Sequence, residues 1–385
     1  MYKKVWLGLL TAAMIAGLTA CGSKAAEETT AKAAGDSVDG EVTIHLMMSN
    51  SQELGVSAAV EAFNKAYEGK IKCEADYVAF NDVFETLEVL MSNKSTEYDI
   101  FAADGPNVAA YVSRGYLQPL NQWISDDEIK MFTDAMITEG TYKDQFYGAP
   151  MGNSSTVLYY NKALLKEAGI NIDFDSVTPD NRLTWEQLID YSKQALDVLD
   201  PDHSKGIGIF TRGISADDTS SYFQSGKILF YLGTTALPAA FEKNGFEDWG
   251  FTYIPCFEGH EDEIRSACGS WTIGMNTYSV KQEAAAEFIK YLTLYDGADV
   301  YINASGMVPA LDRQFTDELK EAKPYMVMAE YEVKNTALVR AITPAFNEYS
   351  TAMNALWDNV RNGADVAGAV DDCKAELETA FKEYE

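Results

Sequence analysis

The first residue in this chain whose type and setting suggest chemistry is Cys21, which follows Leu18-Thr19-Ala20 and precedes Gly22-Ser23. A small residue directly before a cysteine is what lipoprotein processing requires: the thiol takes a diacylglyceryl group, the chain is cut before it, and Cys21 becomes the new N-terminus. Lys3 and Lys4 form a positive n-region, and residues 5–17 form an apolar stretch too short to span a bilayer. Residues 1–20 therefore read as a lipoprotein signal peptide, with lipidation at Cys21. The plainer alternative is an ordinary signal peptide that happens to carry a cysteine.

The second kind of chemistry is recognition of a polar solute. Asp104 lies in Asp104-Gly105-Pro106, a turn-forming stretch that puts one carboxylate just past a short apolar strand. Asn50, Asn81 and Asn153 also fall in predicted loops. A sugar carries hydroxyls around its rim and C–H groups on its faces, so it calls for such acceptors beside an aromatic plane. Phe80, Tyr222, Trp271 and Tyr349 are the candidate rings, and core packing is the alternative for each. Asp104 would otherwise be a solvated turn or a helix cap. Arg340, in a polar gap before Ile342-Thr343-Pro344, either touches a ligand or pairs with an acidic neighbour.

Other chemistries find little support. There is no C-x-x-C, no Cys/His cluster and only three histidines, so no metal site is expected. There is no G-x-S-x-G, H-E-x-x-H or P-loop, and Gly206-x-Gly208 lacks the third glycine of a dinucleotide motif, so no cofactor is expected. A secreted glycosidase working with two carboxylates is the competing class. Carboxylate pairs can be drawn anywhere among 59 acidic residues, and their presence has no weight. The formal charge is −29, and −31 once the signal is removed, with 28 basic against 59 acidic residues. So acidic a surface argues against nucleic acid and against direct adsorption to anionic lipid. Cys256 and Cys268 flank a polar stretch and could face each other across a hairpin as a disulfide.

The elements that must position these residues follow from periodicity. Residues 22–40 hold Val38 as their one large apolar side chain, so the segment 21–40 reads as a flexible tether with a reach of roughly 25 Å. Val42, Ile44 and Leu46 alternate with polar residues, Val56, Ala59, Val60, Phe63 and Tyr67 recur at helical spacing, and Ile71, Cys73, Ala75 and Tyr77 alternate again. With a helix over 83–91 and a strand at 98–102, the order is β-α-β-α-β. That order implies a parallel sheet covered on both faces, with ligands gathering at the carboxyl ends of the strands. Further on, residues 157–160 read as a strand and Asn161 starts a helix. Thr184-Trp185-Glu186-Gln187 reads as a capping box ahead of a buried stripe of Leu188, Ile189, Ala195, Leu196 and Leu199. Ala285, Phe288, Ile289 and Leu292 mark one late helix; Val366, Val370, Cys373, Leu377 and Phe381 mark the last.

Several short motifs in order resemble the extracellular solute-binding proteins of ABC importers, in the sugar-binding group that includes maltose-binding protein. They are Tyr98-Asp99-Ile100 with Asp104, Gly115-Tyr116-Leu117-Gln118-Pro119-Leu120, Tyr147-Gly148-Ala149-Pro150, Tyr160-Asn161-Lys162, Ala168-Gly169-Ile170, Thr184-Trp185 and Met307-Val308-Pro309-Ala310. The resemblance implies an α/β, two-lobed fold of periplasmic-binding-protein type II, each lobe a mixed, largely parallel sheet flanked by helices. The N-terminal lobe would comprise 41–149 plus 275–312 and the C-terminal lobe 150–274 plus 313–385, with crossings near 150–157, 271–275 and 312–316. By motif position Asp104 would accept sugar hydroxyls, Ser154 would make a polar ligand contact, and Trp271 would lie at the lobe junction. Gly233-Thr234-Thr235 stands where relatives commonly place an aromatic. The implied protein is not an enzyme: a monomer held by its lipid on the outer side of the cell membrane, it would deliver a sugar to an ABC permease. A polyamine in an acidic cleft of the same fold is the alternative ligand.

Overall fold

In the computed structural model, which describes residues 40–207, 216–235 and 237–384, the opening β-α-β-α-β order forms as read. Cys21 and the tether up to residue 39 lie outside the described residues. Strands β1 (Val42–Ser49), β2 (Ile71–Val78) and β3 (Ile100–Asp104) are linked by helices α1 (Glu53–Ala66) and α2 (Phe80–Ser92). β1 pairs in parallel with both β2 and β3. Successive side chains of a strand point to opposite faces. Ile44, Leu46 and Met48 therefore enter one core with Phe63 and Phe288, while Met47 enters another with Val83 and Leu87. Both faces of the sheet are covered, as a parallel sheet requires.

The rest of this sheet comes from later segments. The strand Trp271–Asn276 runs antiparallel to β3, with β4 (Leu117–Gln118) and Gly148–Pro150 paired to it in turn. Residues 271–275, expected to cross between lobes, thus lie inside the first sheet. Their alternation explains the difference: Ile273 and Met275 are fully buried, while Gly274 lets Leu117 pass, since a Cβ there would sit 2.3 Å from its Cδ2. The second sheet is built on Thr156–Asn161, which pairs antiparallel with Phe230–Thr234 and Trp249–Thr252. Tyr159, Phe223 and Phe241 fill the core on one side of it.

The chain passes from the first sheet to the second at residues 151–155 and back before Trp271. A third passage follows the helix Asp296–Ser305, whose Tyr301 ring packs directly on Gly55 of α1. It leads to the helix Tyr325–Asn335, which packs on Phe251 of the second sheet.

The capping box at Thr184 and Gln187 is present, opening the helix Trp185–Leu199. Its buried stripe is Leu188, Ser192, Ala195 and Leu199; Ile189 is 43% exposed, one position off that face. The last helix, Val366–Phe381, buries Ala369 and Cys373 against its neighbour Phe346–Arg361 and leaves Val366, Val370 and Phe381 exposed. The four described cysteines are unpaired. Cys256 hydrogen-bonds with Leu183 and Trp185, whereas Cys268 sits in a strand, Ser266–Cys268, paired with Ala337–Val339, so the two thiols belong to different ladders and do not close a hairpin.

Arg182 and Glu332 form an ion pair at 2.5 Å with both side chains almost fully buried. Tyr253 and Tyr331 flank the guanidinium at 5.1 and 5.7 Å, and Thr336 donates to the carboxylate. Removing one partner would leave a buried charge uncompensated, which costs about 3–5 kcal/mol. Glu332→Ala should lower unfolding stability by that amount in a denaturant titration, and a loss under about 1 kcal/mol would show the pair to be dispensable.

Candidate functional site

The three passages are tied together by backbone hydrogen bonds. Asn153 N–H donates to Val308 O at 2.7 Å, and Ser154 N–H donates to Gly269 O at 2.9 Å. Gly105, next to the end of β3, donates to Ser270 O at 3.0 Å. This junction sits at the carboxyl end of the parallel strands, the place where open α/β sheets gather ligands.

Asp104 ends β3, and its two oxygens receive Arg340 as a fork. Nη1 donates to Oδ2 at 2.8 Å and Nη2 to Oδ1 at 2.6 Å. Paired parallel N–H···O bonds of this kind fix the plane of both groups. Arg340 follows the strand Ala337–Val339 and is 236 residues from its partner. The same Nη2 lies 3.5 Å from Oε1 of Glu139, in the last turn of the helix Asp134–Gly140. Glu139 is 1% exposed, and neither of its carboxylate oxygens makes a well-formed hydrogen bond. Burial pushes its carboxyl up to about 8; Arg340 pulls it back and Asp104 adds to the rise.

Two glycines make the cluster sterically possible. A Cβ at Gly105 would lie 2.0 Å from the Glu139 carboxyl carbon, and one at Gly269 would lie 2.6 Å from Arg340 Nη2. Real side chains could not occupy either position without displacing a charged group.

Trp271 faces Asp104 in the ladder with β3. Its ring meets Phe80 edge-on at 5.5 Å and lies roughly parallel to Phe84 at 6.3 Å. Phe80 is 47% exposed. An aromatic group with an open side thus stands next to a fixed carboxylate–guanidinium pair.

Of the residues singled out in the sequence, Asp104, Arg340, Trp271, Phe80 and Ser154 meet at this junction. The Ser154 hydroxyl donates to Gly269 O at 3.0 Å. Asn153 is fully buried, and its side-chain amide has no partner. Asn50 is exposed just past β1. The side chain of Asn81 lies outside what the structure describes. Tyr222 packs on the second core with Lys227 Nζ 5.6 Å from its ring, and Tyr349 pairs with Phe346 at 6.0 Å. No described contact joins either tyrosine to Asp104. Sequence reasoning missed Glu139 and Phe84. Phe84 is four residues from Phe80 on α2, a helical pair open to detection, and Glu139 is an acid three residues after buried Met136, on the apolar side of its helix. Among the described residues no group of His, Cys, Asp and Glu is arranged to hold a metal ion.

Two α/β lobes joined by several passages, with a polar and aromatic junction between them, define a solute-binding protein of type II architecture. Residues 50–299 match the model of the bacterial extracellular solute-binding proteins, and the chain belongs to that family. It is 29% identical over 199 residues to the galactooligosaccharide-binding protein of Bacillus subtilis, covering 51% of this chain and 42% of that one. It is 24% identical over 168 residues to the arabinooligosaccharide-binding protein of Halalkalibacterium halodurans, covering 42% and 36%. The chain thus spans less than half the length of either relative. In three dimensions it is similar to the GacH receptor of Streptomyces glaucescens, solved unliganded and with acarbose (TM-score 0.73, 16% identity, 90% of this chain and 100% of that one). It is also similar to the cyclic α-maltosyl-1,6-maltose binding protein of Arthrobacter globiformis (TM-score 0.71, 18% identity, 89% and 100%). The family and both curated relatives are named as binding proteins.

The raised carboxyl of Glu139 gives stability a defined pH dependence. An acid whose pKa is higher folded than unfolded contributes stability that is complete below the unfolded value and lost as pH rises through the folded one. For Glu139 that window runs from 4.5 to about 8. Wild type should therefore lose melting temperature relative to Glu139→Gln across this range in ligand-free protein. Parallel curves for the two would mean that Glu139 does not titrate there.

Proposed function

We propose that this protein is the substrate-binding lipoprotein of an ABC importer, capturing an oligosaccharide between its lobes and presenting it to a membrane permease. The observation that carries the reading is the Asp104–Arg340 fork beside the rings of Trp271, Phe80 and Phe84. An ionised carboxylate engaged on two lone pairs keeps others free to accept, and the guanidinium keeps further N–H groups to donate. Such an edge offers an acceptor and a donor side by side, which matches neighbouring sugar hydroxyls, each both donor and acceptor. The rings suit the C–H face. The names of the two curated relatives support the same class of ligand. A polyamine suits the junction less well, because the guanidinium stands where an ammonium group would have to lie.

The proposed lobes are the expected 41–149 with 275–312 and 150–274 with 313–385, with one change: residues 271–274 move from the second lobe to the first, because the strand Trp271–Asn276 is paired within the first sheet. Closure is driven by contacts that a ligand makes with both lobes only in the closed state. Titration calorimetry against galacto-, arabino- and maltooligosaccharides should find one that binds one to one, and small-angle scattering should show compaction on binding. Asp104→Ala should weaken that binding by roughly 1–3 kcal/mol, through unpaired hydroxyls in a desolvated site. Trp271→Ala should weaken it through lost stacking. No binding across the three series would overturn the sugar reading, and steady conversion of the sugar to product would make the protein an enzyme.

The anchor is proposed from Cys21 alone. In cells fed a radioactive fatty acid, wild type should be labelled and Cys21→Ala should not; a labelled mutant would remove the anchor from the account.

A further inference from the structure

Three ionisable groups share the junction, and one of them has no task in ligand contact. The side chains of Arg340 and Asp104 are 38% and 15% exposed, within reach of a solute, while that of Glu139 is 1% exposed and beyond it. Nη2 of Arg340 stands between the two carboxylates, hydrogen-bonded to Asp104 at 2.6 Å and 3.5 Å from Glu139 without a formed bond. A terminal guanidinium nitrogen carries two hydrogens, so one serves Asp104 and the other remains for Glu139.

We propose that Glu139 is a positioning residue that takes up Arg340 when a ligand hydroxyl claims an oxygen of Asp104, and that this exchange expels the proton of Glu139. The inference rests on the oligosaccharide reading above. A neutral hydroxyl donating to Asp104 weakens its hold on Nη2 and shields its charge from Glu139. Both changes favour the ionised form of Glu139, whose carboxyl then pairs with Arg340 while its proton passes to the buffer. Closure over a ligand would add burial, which acts the other way, but Glu139 is buried before any ligand arrives, so little further desolvation remains.

The surroundings leave few competitors. From the strand Ser266–Cys268 the Cys268 thiol faces Glu139, and burial pushes it up to about 12, so it stays neutral. The strands Gly148–Pro150 and Ala337–Val339 bring no titratable side chain, and Tyr142 just beyond the helix lies under Lys143. On the neighbouring helix Tyr325–Asn335, Glu332 is committed to Arg182, while Glu330 and Lys334 pair with each other and with Lys320 and Asp312.

Two experiments test the exchange, one without ligand. In ligand-free protein carrying carbon-13 in its glutamate carboxyls, Asp104→Asn imitates an Asp104 whose charge has been taken up. The Glu139 signal, assigned by its absence from both Glu139→Gln and Glu139→Asp, should titrate at lower pH in Asp104→Asn than in wild type. An unchanged or higher midpoint overturns the proposal. In the second experiment, the tightest oligosaccharide of the calorimetric series is titrated near pH 7 in two buffers of different ionisation heat. Wild type should release a fraction of a proton per ligand, with affinity rising as pH rises, and Glu139→Gln should release none. Binding with identical proton counts in wild type and Glu139→Gln overturns the exchange while leaving the sugar reading intact. If no oligosaccharide binds, the sugar reading fails, and the Asp104→Asn titration still decides whether Arg340 is shared.

Discussion

The site depends on the register of one short segment, residues 266–276. Its first part pairs in parallel with Ala337–Val339, setting Cys268 opposite Val339, one residue before Arg340. Its second part runs antiparallel to β3 with Trp271 opposite Asp104. Gly269 and Ser270 lie between, so a few residues of backbone fix where the guanidinium and the carboxylate stand relative to each other. A slip of one residue in either ladder would turn side chains to the opposite face and part the fork. The absence of a Cβ at Gly269 then becomes a requirement of the charge pair, because Arg340 lies in the space a side chain would take.

The arrangement costs stability where it stands. A carboxylate buried without well-formed hydrogen bonds is unfavourable unless it stays protonated, and a partly exposed ion pair adds little. Neither group is explained by folding alone. The lobes carry the stability: the first through two apolar layers around β1, the second through an aromatic core and a fully partnered buried pair, Arg182–Glu332. Local rules are obeyed inside the lobes and broken at the junction, the distribution expected when a scaffold supports a functional site.

Much of the local structure of both lobes was legible because its signals are local. Alternation in β1 and β2, helical spacing in α1 and the capping box at Thr184 each lie within a few residues and each formed. The strand Trp271–Asn276 was misplaced because its partner is about 170 residues away, and periodicity reports a strand without naming its neighbour. The stripe at Ile189 shifted by a position because Ser192, a polar residue whose hydroxyl bonds back to Leu188 O, is tolerated on the buried face. Asp104 and Arg340 were both noticed, yet their union was not, since no short-range pattern links residues 236 positions apart. Glu139 was missed for a different reason. Its importance lies in being buried beside a guanidinium, a property of packing rather than of its neighbours in sequence.

This has a consequence for how such a protein can respond to its ligand. Asp104 already has a partner, so a hydroxyl arriving at its remaining lone pairs must share the carboxylate with a charge-assisted fork. A pair that was simply lost would cost affinity. With a second carboxylate at hand, the guanidinium need not be left unpaired, and the cost of opening the first bond is offset by forming another. A buried acid that is neutral when unneeded and charged when needed suits that role better than a permanent carboxylate, which would compete with Asp104 for Arg340 at all times.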